Sequence, residues 1–230
     1  MLKLSDNPPI LPNGLNPFQA SEGRWWVAHT RSRCEKALAW DLIDRHVSYF
    51  LPMVERISIS GGKKRRARIP LFQSHVFLKG SSEVRTHALQ TGRACRVIDV
   101  LDQATLNEEL NAVNRALESG IRMDPYDTIG VGDACKIARG PLAGVKCTAI
   151  RWGRLTCVVL PLTILRCGVL MQLETSLLEK LPASASPAEL PVNRSAMPAF
   201  AAENVAQAEA VVSRLALDRL RIGKNYATST

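Results

Sequence analysis

Ile69-Pro70-Leu71-Phe72-Gln73-Ser74-His75-Val76-Phe77-Leu78-Lys79 is the stretch on which the fold turns. Its aromatic and β-branched residues predict a strand. Alternation along such a strand places 73, 75 and 77 on one side and 72, 74 and 76 on the other. Upstream, Ser60-Gly61-Gly62-Lys63-Lys64-Arg65-Arg66-Ala67-Arg68 reads as a Gly-opened turn with five cations in six positions. Tyr49 to Ile59, alternating imperfectly around Pro52, reads as the strand that enters it, so the basic run is expected at a hairpin tip. Further back, Trp25-Trp26-Val27-Ala28-His29-Thr30 suits a strand, and Cys34 to Val47 carries Leu38, Leu42 and Ile43 at helical spacing. Downstream, Ser82 to Thr91 predicts a short helix with Ser82 as N-cap and Gly92 as its stop. Arg93 to Val100 predicts a fourth strand, and Thr105 to Ser119 a capped acidic helix ended by Gly120. The order β-α-β-β-α-β-α with short connections predicts an α+β sandwich, an antiparallel sheet with helices on one face.

A second pattern begins at Gly130-Val131-Gly132-Asp133. Ala134 to Ala138, Val145 to Arg151, Leu155 to Leu160 and Val169 to Glu174 are short apolar runs separated by Gly-containing turns. Strands of five or six residues at this spacing predict a small closed β-barrel. In the last of them Val169, Met171 and Leu173 face one way and Gln172 and Glu174 the other.

These readings divide the chain into a disordered N-terminal extension at 1–23, a first domain at 24–122, a linker at 123–129, a barrel at 130–182 and a tail at 183–230. The extension contains Pro8, Pro9, Pro12 and Pro17, and the tail Pro182, Pro187, Pro191 and Pro198; both read as extended linkers. A single Ala-rich helix is expected from Ala199 to Arg221, as a surface helix or a protein-binding one.

Charge is unevenly spread. The chain has 30 Lys and Arg against 21 Asp and Glu, for a net charge of +9. Residues 24–90 hold thirteen basic and five acidic side chains, 98–127 two and seven, and 130–182 seven and three. Two basic blocks flank an acidic one, which points to two modules that can each meet an anionic surface. Wholesale disorder is excluded by the 46% hydrophobic content. No apolar run is long enough for a membrane helix, and the first residues lack the apolar core of a secretory signal. A cytoplasmic protein with no membrane association is expected. The six cysteines form no CxxC pair and read as buried thiols. His29, His46, His75 and His87 show no metal-ligand spacing. No nucleophile motif, phosphate loop or dinucleotide fingerprint is present, so neither a cofactor nor an enzymatic activity is expected.

Three stretches together resemble a known family. Trp25-Trp26-Val27…Thr30, then Pro52, then Pro70 to Leu78 resemble the NusG N-terminal domain. Gly132-Asp133…Ile137…Gly140-Pro141-Leu142-Ala143-Gly144-Val145 resembles its usual companion, the KOW motif of an SH3-like barrel. Within that family the specialised antiterminators related to RfaH are the more similar. The resemblance implies a transcription elongation or antitermination factor whose first domain docks on the clamp helices of bacterial RNA polymerase and reaches the facing gate loop. Carried across by position, His29, Phe72, His75 and Phe77 line the docking surface, and Arg85, Thr86 and His87 meet the gate loop. Lys63, Lys64, Arg65, Arg66 and Arg68 lie where nucleic acid near the polymerase passes. Gly140, Pro141 and Gly144 belong to the KOW motif, and the barrel's implied partners are ribosomal protein S10 or Rho. Two departures are visible. Gln73-Ser74-His75 stands where the family usually has Pro-Gly-Tyr, and Cys147 stands where the KOW repeat has Gly. Each residue also has a plainer reading: Phe72 and Phe77 as core, the basic hairpin as a solubilising loop, the glycines as turn-formers. The competing function is an RNA- or ribosome-binding KOW protein that does not act on polymerase.

Overall fold

In a computed structural model of the chain, residues 7–19, 22–60, 63–126, 132–151 and 155–181 are described. They belong to one of the two units into which the chain divides, Met1–Ser186. The helix expected at 199–221 and the rest of the tail after Leu181 lie outside the described residues. In chain order the first elements are β1 (Arg24–Thr30), α1 (Glu35–Asp44), β2 (Ser48–Phe50), β3 (Met53–Ser60), β4 (Lys63–Pro70), β5 (His75–Gly80), α2 (Ser82–Gln90), β6 (Ala94–Asp99) and α3 (Gln103–Glu118). There follow β7 (Met123–Tyr126), β8 (Asp133–Ile137), β9 (Lys146–Arg151), β10 (Leu155–Leu162), β11 (Cys167–Glu174) and β12 (Leu178–Lys180). No helix among them is long and apolar enough to cross a membrane.

The α+β class holds. An antiparallel sheet in the order β2-β5-β1-β6 forms the centre of the first module. Strand alternation sorts its side chains. Trp26, Ala28, Tyr49, Val76 and Leu78 pack with Leu38, Leu42, Val84 and Ala88 of α1 and α2. Trp25, Val27, Phe50 and Phe77 belong to a second cluster with Leu106, Leu110 and Val113 of α3. Helices therefore cover both faces rather than one, because β1 and β5 are apolar on both sides, as strands buried on two faces must be. Asp102 caps α3 by accepting from the Thr105 N–H at 2.9 Å. For α2 the cap is Ser81, one residue earlier than expected, with Oγ accepting from the Glu83 N–H.

Two predicted strands are each broken. The stretch from Tyr49 splits at Leu51-Pro52 into β2 and β3. The stretch Ile69 to Lys79 splits into β4 and β5, separated by a turn at Leu71–Ser74. Ser74 there has φ of 58°, a left-handed backbone that ends strand alternation. In consequence β3 and β4 make a separate two-stranded sheet, and the basic run Lys63 to Arg68 lies along β4 rather than at the tip.

The second module is a rolled meander in which β12, following β11 in the chain, returns to pair with β8. The sheet order is β12-β8-β9-β10-β11-β7. This is the small β module expected, with two strands beyond the four apolar runs: β12, and β7, which comes from the expected linker and pairs antiparallel with β11, Met171 opposite Met123. Pro125 is accommodated there because β7 is an edge strand, where a missing N–H leaves no ladder bond unmade. Gly140 and Gly144 both have φ of 88°, open to glycine and costly for other residues, and they bound the turn between β8 and β9. Cys147 sits inside β9 in ordinary strand conformation.

Residues 7–19 correct the expectation of a disordered extension. The Leu51 N–H donates to Ile10 O, the Tyr49 hydroxyl to Pro9 O, Ser48 Oγ to Leu15 O and Lys79 Nζ to Pro17 O. Phe18 packs its ring 5.6 Å from Trp25 and 5.2 Å from Phe50. Proline suits such a strap, since its fixed φ lowers the entropy lost on ordering. The cysteine expectation needs one change: Cys135, Cys147 and Cys157 are buried, Cys34 and Cys167 half-buried, but Cys95 is exposed on β6. All six are free thiols, and burial pushes the Cys147 thiol up to about 12.

Candidate functional site

His29, Phe72, His75 and Phe77, expected to dock a partner, lie together around the point where β1 ends and β5 begins. Register places His29 opposite His75, Val27 opposite Phe77 and Phe50 opposite Phe77. The two imidazoles meet edge to face, centroids 5.1 Å apart. The Leu71–Ser74 turn then folds Phe72 back, so that its ring stands perpendicular to that of Phe77 at 5.7 Å. Two residues that strict alternation assigned to opposite faces thus share one. The left-handed Ser74 makes this possible, and α1 holds it there: Glu35, buried at the helix start, accepts the Ser74 N–H at 2.7 Å. Ser74 O in turn accepts from the Thr30 N–H.

Phe72 and Phe77 are 5% and 0% exposed. Both lie in the cluster that runs on through α3 into Met123, Val158, Leu160, Val169 and Met171 of the second module. The two aromatics expected to line the docking surface are thus packed among the chain's own side chains. Polar links reinforce the contact. Glu109 of α3 accepts from the Thr163 N–H at 3.0 Å and from its hydroxyl; burial raises the Glu109 carboxyl above its ordinary range. Arg115 donates from Nη2 to Pro141 O at 2.7 Å and Ala143 O at 3.0 Å, within the turn between β8 and β9. Arg56 of β3 pairs with Asp124 of β7 at 2.8 Å.

What stays accessible is a cleft of about 340 Å³ between the modules. Leu71, Phe72, Gln73 and His75 line one wall, and Pro125, Tyr126, Leu165, Cys167 and Gly168 the other. His29 and His75 are both half-buried. The His75 ring is held by a 2.7 Å contact from Nδ1 to Gln73 O. Burial lowers its pKa below the ordinary histidine range, the Gln73 carbonyl opposes that shift, and His29 and Arg96 add to it.

The remaining expected residues lie elsewhere. Arg85 and Thr86 are exposed and His87 half-buried on α2, whose Val84 and Ala88 pack on the opposite face of the sheet. They form no single site with His75. On the hairpin, Arg66 and Arg68 are exposed, Arg66 lying 3.6 Å from Glu55; the side chains of Lys63, Lys64 and Arg65 lie outside the described residues. Gly140, Pro141 and Gly144 are exposed. Among the described residues no group of three or more His, Cys, Asp or Glu is placed to hold a metal ion. Glu35, Arg96 and Tyr126 were not singled out from sequence. Their signals are weak: a helix-start glutamate, an arginine in a strand and a tyrosine after proline are each commonplace.

Residues 23–115 match the family described as the transcription termination factor nusG. No curated protein matches the chain. Among solved structures, that of the domain interaction in Thermotoga maritima NusG aligns with a TM-score of 0.40 and 16% identity, covering 70% of this chain and 98% of that one. The MjSpt4:Spt5 complex in conformation B aligns with a TM-score of 0.22 and 13% identity, covering 68% and 96%. The first module, from β1 into α3, is therefore the part of the chain whose sequence is similar to NusG.

Proposed function

We propose that this chain is a NusG-like transcription elongation and antitermination factor of the RfaH-like kind, with no catalytic activity, acting in the bacterial cytoplasm. Its first domain binds the clamp helices of RNA polymerase and suppresses pausing or termination, and its KOW barrel recruits a further partner such as ribosomal protein S10 or Rho. The observation that carries this reading is the NusG family match over residues 23–115, the module that bears the His29–His75 face. Docking favours the clamp conformation it binds, which shifts the population toward elongation. His29 and His75 serve as the accessible edge of the docking surface. Phe72 and Phe77, buried in the cluster that joins α3 and the second module, contribute only once that packing opens. Arg85, Thr86 and His87 present a second, polar surface to the gate loop, and the β4 cations follow nucleic acid beside it.

The full chain mixed with core RNA polymerase tests this. Co-elution at moderate salt and shortened pauses in single-round transcription are the expected result. One observation favours the alternative of an RNA- or ribosome-binding KOW protein: the cationic β4 belongs to its own two-stranded sheet, outside the sheet that carries the docking face. Retention of RNA without polymerase would decide for that alternative.

A further inference from the structure

The β8–β9 hairpin carries two thiols inside the second module. Register sets Cys135 directly opposite Cys147. Alternation turns both inward: they are 0% and 5% exposed in one cluster with Ile137 and Ala149, whereas Lys136 and Lys146 beside them are exposed. Opposite residues of an antiparallel pair hold their Cα atoms about 4.5–5.5 Å apart, inside the range of about 4.4–6.8 Å that a disulfide takes. The other cysteines have no such partner. Cys157 stands opposite Arg151 and Gln172, Cys167 opposite Leu162, Cys95 lies exposed on β6 and Cys34 precedes α1. Cys135 Sγ now donates to Asp133 O at 3.4 Å, so a bond to Cys147 needs that side chain to rotate while the strand spacing stays as it is. The two thiols ionise unequally. Burial raises both, but the Ala149 N–H and Lys180 favour the Cys135 thiolate against Asp133, while Cys147, pushed up to about 12, is further discouraged by Cys135.

We infer that Cys135 and Cys147 form an oxidation site, at which a peroxide joins β8 to β9 through a disulfide. The Cys135 thiolate attacks one peroxide oxygen, and the O–O bond breaks to leave a sulfenic acid and hydroxide. Cys147 then attacks the sulfenic sulfur: the S–S bond forms, the S–O bond breaks, and the Cys147 proton leaves with that oxygen as water. Two thiols give up two electrons, and the peroxide is reduced to two waters. Burial selects this class of oxidant. A water-sized peroxide reaches the pair in a brief local opening that excludes a bulky disulfide reagent. The bridge closes a loop over the eleven residues 136–146. That loop contains the turn bounded by Gly140 and Gly144, whose Pro141 and Ala143 carbonyls hold Arg115 of α3. Oxidation therefore staples the hairpin that carries the link between the modules. It does so whatever partner the chain serves.

The full chain treated with hydrogen peroxide, blocked with iodoacetamide and digested without reductant tests this by peptide mapping. The expected product is a peptide pair joining Cys135 to Cys147, released by dithiothreitol. Its rate of formation rises about tenfold from about pH 7 to about pH 8, as the thiolate fraction does below a thiol's pKa. The bridged chain melts at least about 5 °C higher than the reduced one. Cys157→Ser is expected to form the bridge at the parental rate and Cys147→Ser to form none, while in concentrated urea the pairing scatters among the six cysteines. A native chain that yields no Cys135–Cys147 peptide, or yields it no more often than other pairs, overturns the inference. So does a bridge that leaves the melt unchanged, since it would staple nothing. The decisive map is made on the unsubstituted chain, so poor folding of Cys147→Ser does not blunt it.

Discussion

Ser74 shows how one backbone angle decides which side chains meet. In the left-handed region a non-glycine residue carries a strain of about 1–2 kcal/mol, repaid here by the Glu35 carboxylate on its N–H and the Thr30 N–H on its carbonyl. Ser74→Gly is expected to leave stability within about 1 kcal/mol of the parent, because relief of strain offsets the extra freedom of the unfolded chain. A β-branched residue has no such relief, and Ser74→Val is expected to cost about 2 kcal/mol in urea denaturation. Equal stability of the two variants would show that the turn relaxes away from its left-handed form. The resemblance held a trace of this, since the family usually has Gly where Ser74 stands. Composition and alternation held none, and so placed Phe72 and Phe77 on opposite faces. The His29–His75 juxtaposition was out of reach for a different reason: it depends on cross-strand register across a sheet whose strands are 45 residues apart in sequence.

At the scale of elements, most of the fold was legible. β1, α1, α2, β6 and α3 are found within a few residues of their expected bounds, since apolar spacing and caps are local signals. What could not be read is where a strand leaves one sheet for another. Pro52 and Pro70 both fall at such points, and Tyr49 to Lys79 becomes four strands in two sheets instead of two strands in one. That error matters for function, because a cationic strand offers an extended line of charge where a tip offers a point. If β4 lies along a nucleic-acid backbone, replacing Lys63, Lys64, Arg65 and Arg66 with Ala lowers the slope of log affinity against log salt by about 3 to 4, at roughly 0.7–0.9 per lost phosphate contact. A change of one or less in a filter-binding titration would mean that the strand touches few phosphates.

At the scale of the molecule, the two modules share one apolar cluster and a few polar links. Arg115 makes its bonds to the turn between β8 and β9 from an incompletely buried position, so solvent competes and their joint contribution is on the order of 1 kcal/mol. Arg115→Ala is expected to loosen the barrel from α3, seen as faster amide exchange along β10. If polymerase reaches Phe72 and Phe77 only when the barrel is displaced, the same variant binds polymerase about fivefold more tightly. Faster exchange without tighter binding would show that the covered aromatics are core alone.

If the second module moves aside as proposed, the edge strand built from Met123–Tyr126 governs how far it can travel. While β7 stays paired with β11, the leash from the end of α3 is the handful of residues between Glu118 and Met123, which span on the order of 15 Å at full stretch. Were β7 to peel away, the leash would lengthen to the fifteen residues up to Asp133 and reach on the order of 50 Å. One short ladder thus separates a door that swings on its hinge from a tethered float able to fish for a second protein well beyond the first.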